Sequence, residues 1–187
     1  MKTYLPVLAC LMALACVACK KDSKNDTPVA NADTFVSFSI GDNHYRSDSK
    51  SISLEIDSAA NVFETNKYDY TYTLTATSTD TAHPYALQIT TFFEESKVLP
   101  GTYTDTTNEV DGFQYLPVAK NTDDLYASSR QSLSVTTVTK IDSLHFEGTF
   151  QGRVTATTGA VDAPGMNITN GQFKLSYSAL NVIRKAK

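Results

Sequence analysis

HFEGTFQGRV, residues 145–154, decides the fold class. Phe146, Gly148, Phe150, Gly152 and Val154 fall on one parity, and Glu147, Thr149, Gln151 and Arg153 on the other. Successive side chains of an extended chain point to opposite faces, so a period of two predicts a strand with one buried and one wet face.

The same alternation recurs on both sides of it. Val36, Phe38 and Ile40 alternate before Gly41-Asp42-Asn43, and Ile52, Leu54 and Ile56 before Asp57-Ser58. Tyr68, Tyr70, Tyr72, Leu74 and Ala76 interleave with Asp69, Thr71, Thr73, Thr75 and Thr77 in one long strand. Its continuation into Leu74 and Ala76 assigns the tyrosine row to the core rather than to a sugar-stacking platform, and the chain contains no Trp. Leu87, Ile89, Thr91 and Phe93 form the next strand. Pro100-Gly101 marks a turn before Thr102-Tyr103-Thr104. Phe113 and Tyr115 begin a shorter strand in which Pro117 argues for a sheet edge. From Leu133 and Val135 to Val138 the apolar phase shifts from odd to even, which predicts a bulge. Phe173, Leu175 and Tyr177 close the sheet after a turn at Asn170-Gly171. Roughly nine to eleven strands with one wet face each, and no amphipathic helix, predict an all-β domain over residues 34–187, an antiparallel β-sandwich or a partly open barrel.

The N-terminus reads differently. Lys2 precedes an apolar stretch over residues 4–18, too short for the about 20 residues of a spanning helix, and polar sequence follows. This resembles a bacterial lipoprotein signal, cut before a cysteine. The box at the junction is Cys16-Val17-Ala18-Cys19, with Cys16 where Leu is usual; Val7-Leu8-Ala9-Cys10 and Ala13-Leu14-Ala15-Cys16 compete with it. Cutting at Cys10 would leave an apolar stretch on the mature chain, so Cys19 is preferred and residues 1–18 are expected to be removed. The resemblance implies that the Cys19 thiol carries a diacylglyceryl thioether and, in Gram-negative bacteria, that its freed amine takes a third acyl chain. At ~0.8 kcal/mol per buried methylene, three acyl chains hold the protein on a membrane with tens of kcal/mol. No other cysteine would remain, so the domain is expected to fold without a disulfide. Lys20-Lys21-Asp22 resembles the surface-export tag of Bacteroidota lipoproteins, which implies an outer-membrane anchor facing outward. Residues 19–33 then form a flexible linker.

The formal net charge is −4, and Lys and Arg form no basic stripe, so nucleic acid is excluded as a partner. SFSIGDNHYRS, LPGTY, TKIDSLHFEGTFQGRV and ITNGQFKLSY together resemble small uncharacterised Bacteroidota lipoproteins. The resemblance implies a β-sandwich in the envelope and brings no catalytic residues.

Reactive chemistry is sparse. Glu94-Glu95 and Asp123-Asp124 are sequence neighbours that would point to opposite faces if extended, so neither pair converges on a glycosidic bond. His44, His83 and His145 show no metal-ligand spacing. DTTNEVDG, with Asp105, Asn108 and Asp111, comes near a calcium loop but lacks the alternating spacing, so no metal and no cofactor are expected. The segments 106–112 and 121–129 are candidate ligand loops, with Tyr115 and Tyr126 beside them. Ser58, Thr81, Thr106 and Ser143, each after an Asp, resemble O-glycosylation acceptors of exported Bacteroidota proteins, and their setting reads as turns. The functional expectation is a non-catalytic binding module for a glycan or an envelope protein, ahead of a structural or assembly lipoprotein and of a hydrolase.

Overall fold

The computed structural model describes residues 33–61, 67–78, 80, 82–94, 98–104, 111–117, 125–129, 133–157 and 165–186. Alternation becomes strand throughout. β1 (Phe35–Ile40), β2 (Asn43–Asp48), β3 (Ile52–Ala60), β4 (Tyr68–Thr77), β5 (Ala86–Phe93) and β6 (Gly101–Thr104) are followed by β7 (Gly112–Leu116) and β8 (Tyr126–Ala127). β9 (Ser134–Ile141), β10 (His145–Ala156), β11 (Met166–Ser176) and β12 (Asn181–Ala186) complete the fold. No helix among the described residues is long and apolar enough to cross a membrane.

The strands form two facing layers. One runs β2-β1-β11-β10-β9-β6 and the other β12-β3-β4-β5-β7-β8. They join at one corner, where the far end of β10 leaves β9 and pairs with β8 through Thr155↔Ala127 and Ala156↔Tyr126. Among the described strands the sheet does not close elsewhere, so the result is a sandwich-like fold and not a barrel. Aromatic rings bind the layers together. Phe38 of β1 meets Tyr115 of β7 at 6.2 Å, Tyr72 of β4 meets Phe146 of β10 at 5.3 Å, and Phe113 of β7 meets Phe150 of β10 at 5.7 Å. Each buried Phe contributes roughly 1.5–3 kcal/mol by leaving water.

The predicted inward face of β10 is the observed one: Phe146, Gly148, Phe150 and Val154 are buried. In β4, Tyr72, Leu74 and Ala76 are buried while Tyr68 is 46 % exposed, so the tyrosine row runs out past the end of the core.

Four details differ from the sequence reading. Pro117 does not mark an edge, because it lies just beyond β7, which pairs with both β5 and β8. Asn170-Gly171 is no hairpin turn. It is a bulge inside β11: Gln172 and Thr169 oppose Ser37 and Ser39, and Asn170 takes up the inserted position at φ 52°. The β9 bulge falls at Thr139, since Glu147 pairs with Lys140 and Gly148 with Val138. Ser134, Thr136 and Val138 are therefore the inward set and Val135 is not. Finally, the chain continues beyond Tyr177 into β12, which pairs in parallel with β3, the one parallel pair among the described strands.

Candidate functional site

The turn at Gly41, φ 59°, folds β2 back along β1 and makes β2 an edge of its layer. Alternation then separates its side chains. Tyr45 and Ser47 face inward opposite Phe38 and Val36, while His44 and Arg46 face outward opposite Ser39 and Ser37. The connection from β4 to β5 belongs to the other layer, and it supplies the opposing wall. Between the two lies a cleft of about 260 Å³ lined by Asn43, His44, Tyr45, Arg46, Ser78, Asp80, His83 and Tyr85.

Its floor is rigid. Tyr45 stacks on Phe38 at 4.9 Å and meets Tyr85 edge-on at 5.1 Å. Ser47 Oγ donates to the Thr77 carbonyl at 2.8 Å, which leaves the Tyr85 hydroxyl as donor in its 2.6 Å bond to the same Oγ. Burial pushes the Tyr85 phenol above its ordinary range. That hydrogen-bond chain ties β2 to the end of β4, so both walls of the cleft are held by the core.

The walls carry the charge. Asp80 accepts from the Ala82 N–H at 2.8 Å and contacts His83 Nδ1 at 3.1 Å; the backbone donor first, and the histidine second, hold its carboxyl below the usual range. His44 Nδ1 shares a 2.7 Å hydrogen bond with Ser39 Oγ, which fixes the ring and leaves Nε2 as its other hydrogen-bonding atom. Arg46 is different. Its guanidinium lies over the Phe35 ring, 4.0 Å from the centre, and it is in no ion pair among the described residues. Arg46, two imidazoles and an amide supply donors on a lining whose one carboxylate, Asp80, is engaged by Ala82 N–H and His83, a set suited to a group that carries both an anionic end and hydroxyls. No cluster of three metal-ligating side chains occurs among the described residues.

The residues favoured from sequence fall elsewhere. Tyr115 is 3 % exposed: it sits inward on β7, its ring 6.5 Å from that of Tyr45, and belongs to the core, not to a ligand loop. Asp111 is also buried, and its Oδ1 accepts from the Phe92 N–H at 2.6 Å, so it ties the start of β7 to β5. Tyr126 is half-buried within β8. Ser58 is no turn residue, because it lies in β3 with its Oγ donating to the Lys185 carbonyl at 3.3 Å. Ser143 is exposed at the β9–β10 turn, where Asp142 accepts from the Leu144 and His145 N–H groups. Cys19, Asp105, Asn108, Thr81 and Thr106 lie outside the described residues. Sequence spacing missed the cleft because its two walls are thirty or more positions apart, as in Ser47 to Thr77 and Ser47 to Tyr85, separated by 30 and 38 residues. No protein-family profile matches the chain, no curated protein is similar to it, and no solved structure matches it.

Proposed function

We propose that this protein is a lipid-anchored envelope module that binds a glycan through an acidic group held in the cleft between β2 and the β4–β5 connection. The observation that carries the reading is Arg46, a cation parked on an aromatic ring without an ion pair among the described residues, at the mouth of a rigid polar cleft. A carboxylate or sulfate would take the guanidinium's paired N–H donors, with Asn43 and the imidazoles of His44 and His83 available to neighbouring hydroxyls. The cleft's volume suits one sugar unit, so affinity would be modest and would gain from display at a surface. The signal and Cys19 support such display by a lipid anchor, and Lys20-Lys21-Asp22 supports an outward-facing one. Ser143 is the modification candidate that its exposure supports.

The test is a glycan array with the purified protein, followed by calorimetry on whatever is retained, with Arg46→Ala and His83→Ala beside the wild type. Charge-assisted hydrogen bonds of about 1.5–3 kcal/mol predict a ~10- to 100-fold loss in Arg46→Ala. Retention of an acidic glycan equally by wild type and Arg46→Ala would remove the cleft from the account. Turnover of a bound glycan would replace the module with an enzyme.

A further inference from the structure

The outer face of the β2-β1-β11-β10-β9-β6 layer carries a second concavity, a groove of about 290 Å³ whose outward side chains are Val135 and Thr137 of β9, Thr149 and Gln151 of β10, and Asn170 and Gln172 of β11. It lies over the centre of the layer and not in its loops. Its shape comes from the β11 bulge. Asn170 adopts a left-handed conformation, φ 52°, and is the one non-glycine residue to do so among those described. Gly171 beside it is pressed against β10 so closely that a Cβ there would stand 2.2 Å from the Phe150 carbonyl oxygen. Asparagine is among the few side chains other than glycine that adopt this conformation, which suits it to the inserted position of a bulge. The bulge lifts one amide out of the strand beside two others.

The groove's chemistry is uniform. No charged residue lines it, whereas on the same face Lys140 pairs with Glu147 at 3.7 Å and Lys174 with Asp33 at 4.0 Å. The side-chain amides of Gln151, Asn170 and Gln172 make no hydrogen bond to another described residue. Each amide offers both a donor and an acceptor, which matches vicinal hydroxyls, and Val135 with the threonine methyls offers a C–H surface. A nucleic acid would require cations here, and a protein partner would require aromatic or arginine anchors. The lining holds no cation, and its one aromatic, Phe150, is 2 % exposed and belongs to the core.

Strand register connects the groove to the cleft. Arg46 pairs with Ser37, Ser37 with Gln172, Gln172 with Thr149, and Thr149 with Thr137, one outward row across five strands. At about 4.8 Å per strand the row spans ~19 Å, the length of roughly four pyranose units. We infer that the groove is a second glycan subsite, which takes neutral, hydroxyl-rich units of a linear chain whose acidic unit occupies the cleft at Arg46. The ligand then lies across the strands, from the edge of the layer to its centre. This rests on the function proposed above.

The experiment compares three probe classes on the full chain by calorimetry: glucuronate, linear neutral tetra- to hexasaccharides of β-glucan, α-glucan and mannan type, and the same chains capped with one glucuronate. The variants are Arg46→Ala and the double variant Asn170→Gly with Gln172→Ala, in which glycine keeps the left-handed backbone and removes the amide. A capped chain is expected to bind ~10-fold or more tightly than glucuronate, the worth of one or two net hydrogen bonds. The double variant erases that gain without changing glucuronate affinity, and Arg46→Ala weakens both. In spectra of the wild type, the side-chain NH₂ signals of Gln151, Asn170 and Gln172 shift with the capped chain and stay in place with glucuronate. If glucuronate binds through Arg46 but no capped chain binds tighter, or the gain survives the double variant, the subsite is refuted and the function stands. If neither glucuronate nor any capped chain binds, both fall.

Discussion

Gly148→Ala tests the packing of β10 against β9 by its sign as well as its size. Alanine is the better strand residue by about 0.5–1 kcal/mol, so in open space the substitution would stabilise the protein. Here a Cβ would stand 2.3 Å from the Thr137 carbonyl oxygen and 2.6 Å from Phe173 Cζ, both far below any tolerated contact. The ring could rotate away, but the carbonyl is backbone, one residue before the Val138 that pairs with Gly148. β9 would have to retreat by most of an ångström, at the point where the Thr139 bulge already weakens the ladder. Overpacking of this kind costs about 3 kcal/mol, the upper end of its usual range. For a domain of this size that lowers Tm by ~6–12 °C. Gly41→Ala is the control: nothing lies within 4 Å of its Cβ position, so only the φ of +59° acts against it. It is expected to cost ~1 kcal/mol and ~2–4 °C. Urea unfolding with an unchanged m-value would measure both. A Gly148→Ala variant as stable as the wild type, or more so, would mean that β9 does not lie across β10 at that height.

Three further outcomes are expected. Tyr115→Ala should cost about 3–5 kcal/mol by opening a cavity, whereas Tyr115→Phe keeps the ring, should cost less than about 1 kcal/mol and leave ligand binding intact; a stable Tyr115→Phe that had lost its ligand would return Tyr115 to the site. Burial holds the phenols of Tyr72, Tyr85, Tyr103, Tyr115 and Tyr177 above their ordinary range. The unfolded chain therefore releases protons first, so stability is intact below about pH 10 and falls above it, and a urea midpoint flat from about pH 9 to about pH 12 would contradict the burial of these rings. Cys19→Ala should move the protein from the membrane to the soluble fraction and remove the acyl mass from its N-terminal peptide, whereas continued membrane association of the variant would place the anchor elsewhere.

Period-two patterning specifies a strand face wherever one side is dry, which is why β3 and β5 are legible residue by residue, and β1, β4 and β10 along their central stretches; Ile40 and Tyr68 lie where those strands run out past the core. It failed where local chemistry has two uses. Asn-Gly is the commonest signal for a tight hairpin, but the same left-handed residue serves a bulge, and only the neighbours Ser37 and Ser39 on β1 and Phe150 and Gly152 on β10 determine which. NVIRKA in β12 has no clean alternation because only its β3 side is covered: Val182 is half-buried, while Ile183, Arg184 and Lys185 are exposed. Its strand state is imposed by the partner, with Lys185 reaching Glu55 at 2.6 Å.

The site was less legible for a reason that follows from the fold. Sequence reasoning assigns polar residues between strands to loops and loops to function, which led to Asp111 and Tyr115. Both turn inward, Asp111 to hold the Phe92 N–H and Tyr115 to fill the space between the layers. In a sandwich the outward half of every strand is polar by necessity, so His44, Arg46, Gln151 and Gln172 look like ordinary wet-face residues one strand at a time. They become a surface only through register, when β11 lies between β1 and β10 although β10 precedes it and β1 is over a hundred residues away, as in Ser176 N–H to Thr34 Oγ1 (|i−j| 142). Nothing local encodes that adjacency. The one local trace of it is Asn170-Gly171, where a left-handed residue and a close backbone contact with Phe150 sit in the middle of a sheet: the extra residue that a bulge inserts turns the Asn170 side chain outward, and the absent Cβ of Gly171 lets β11 and β10 approach.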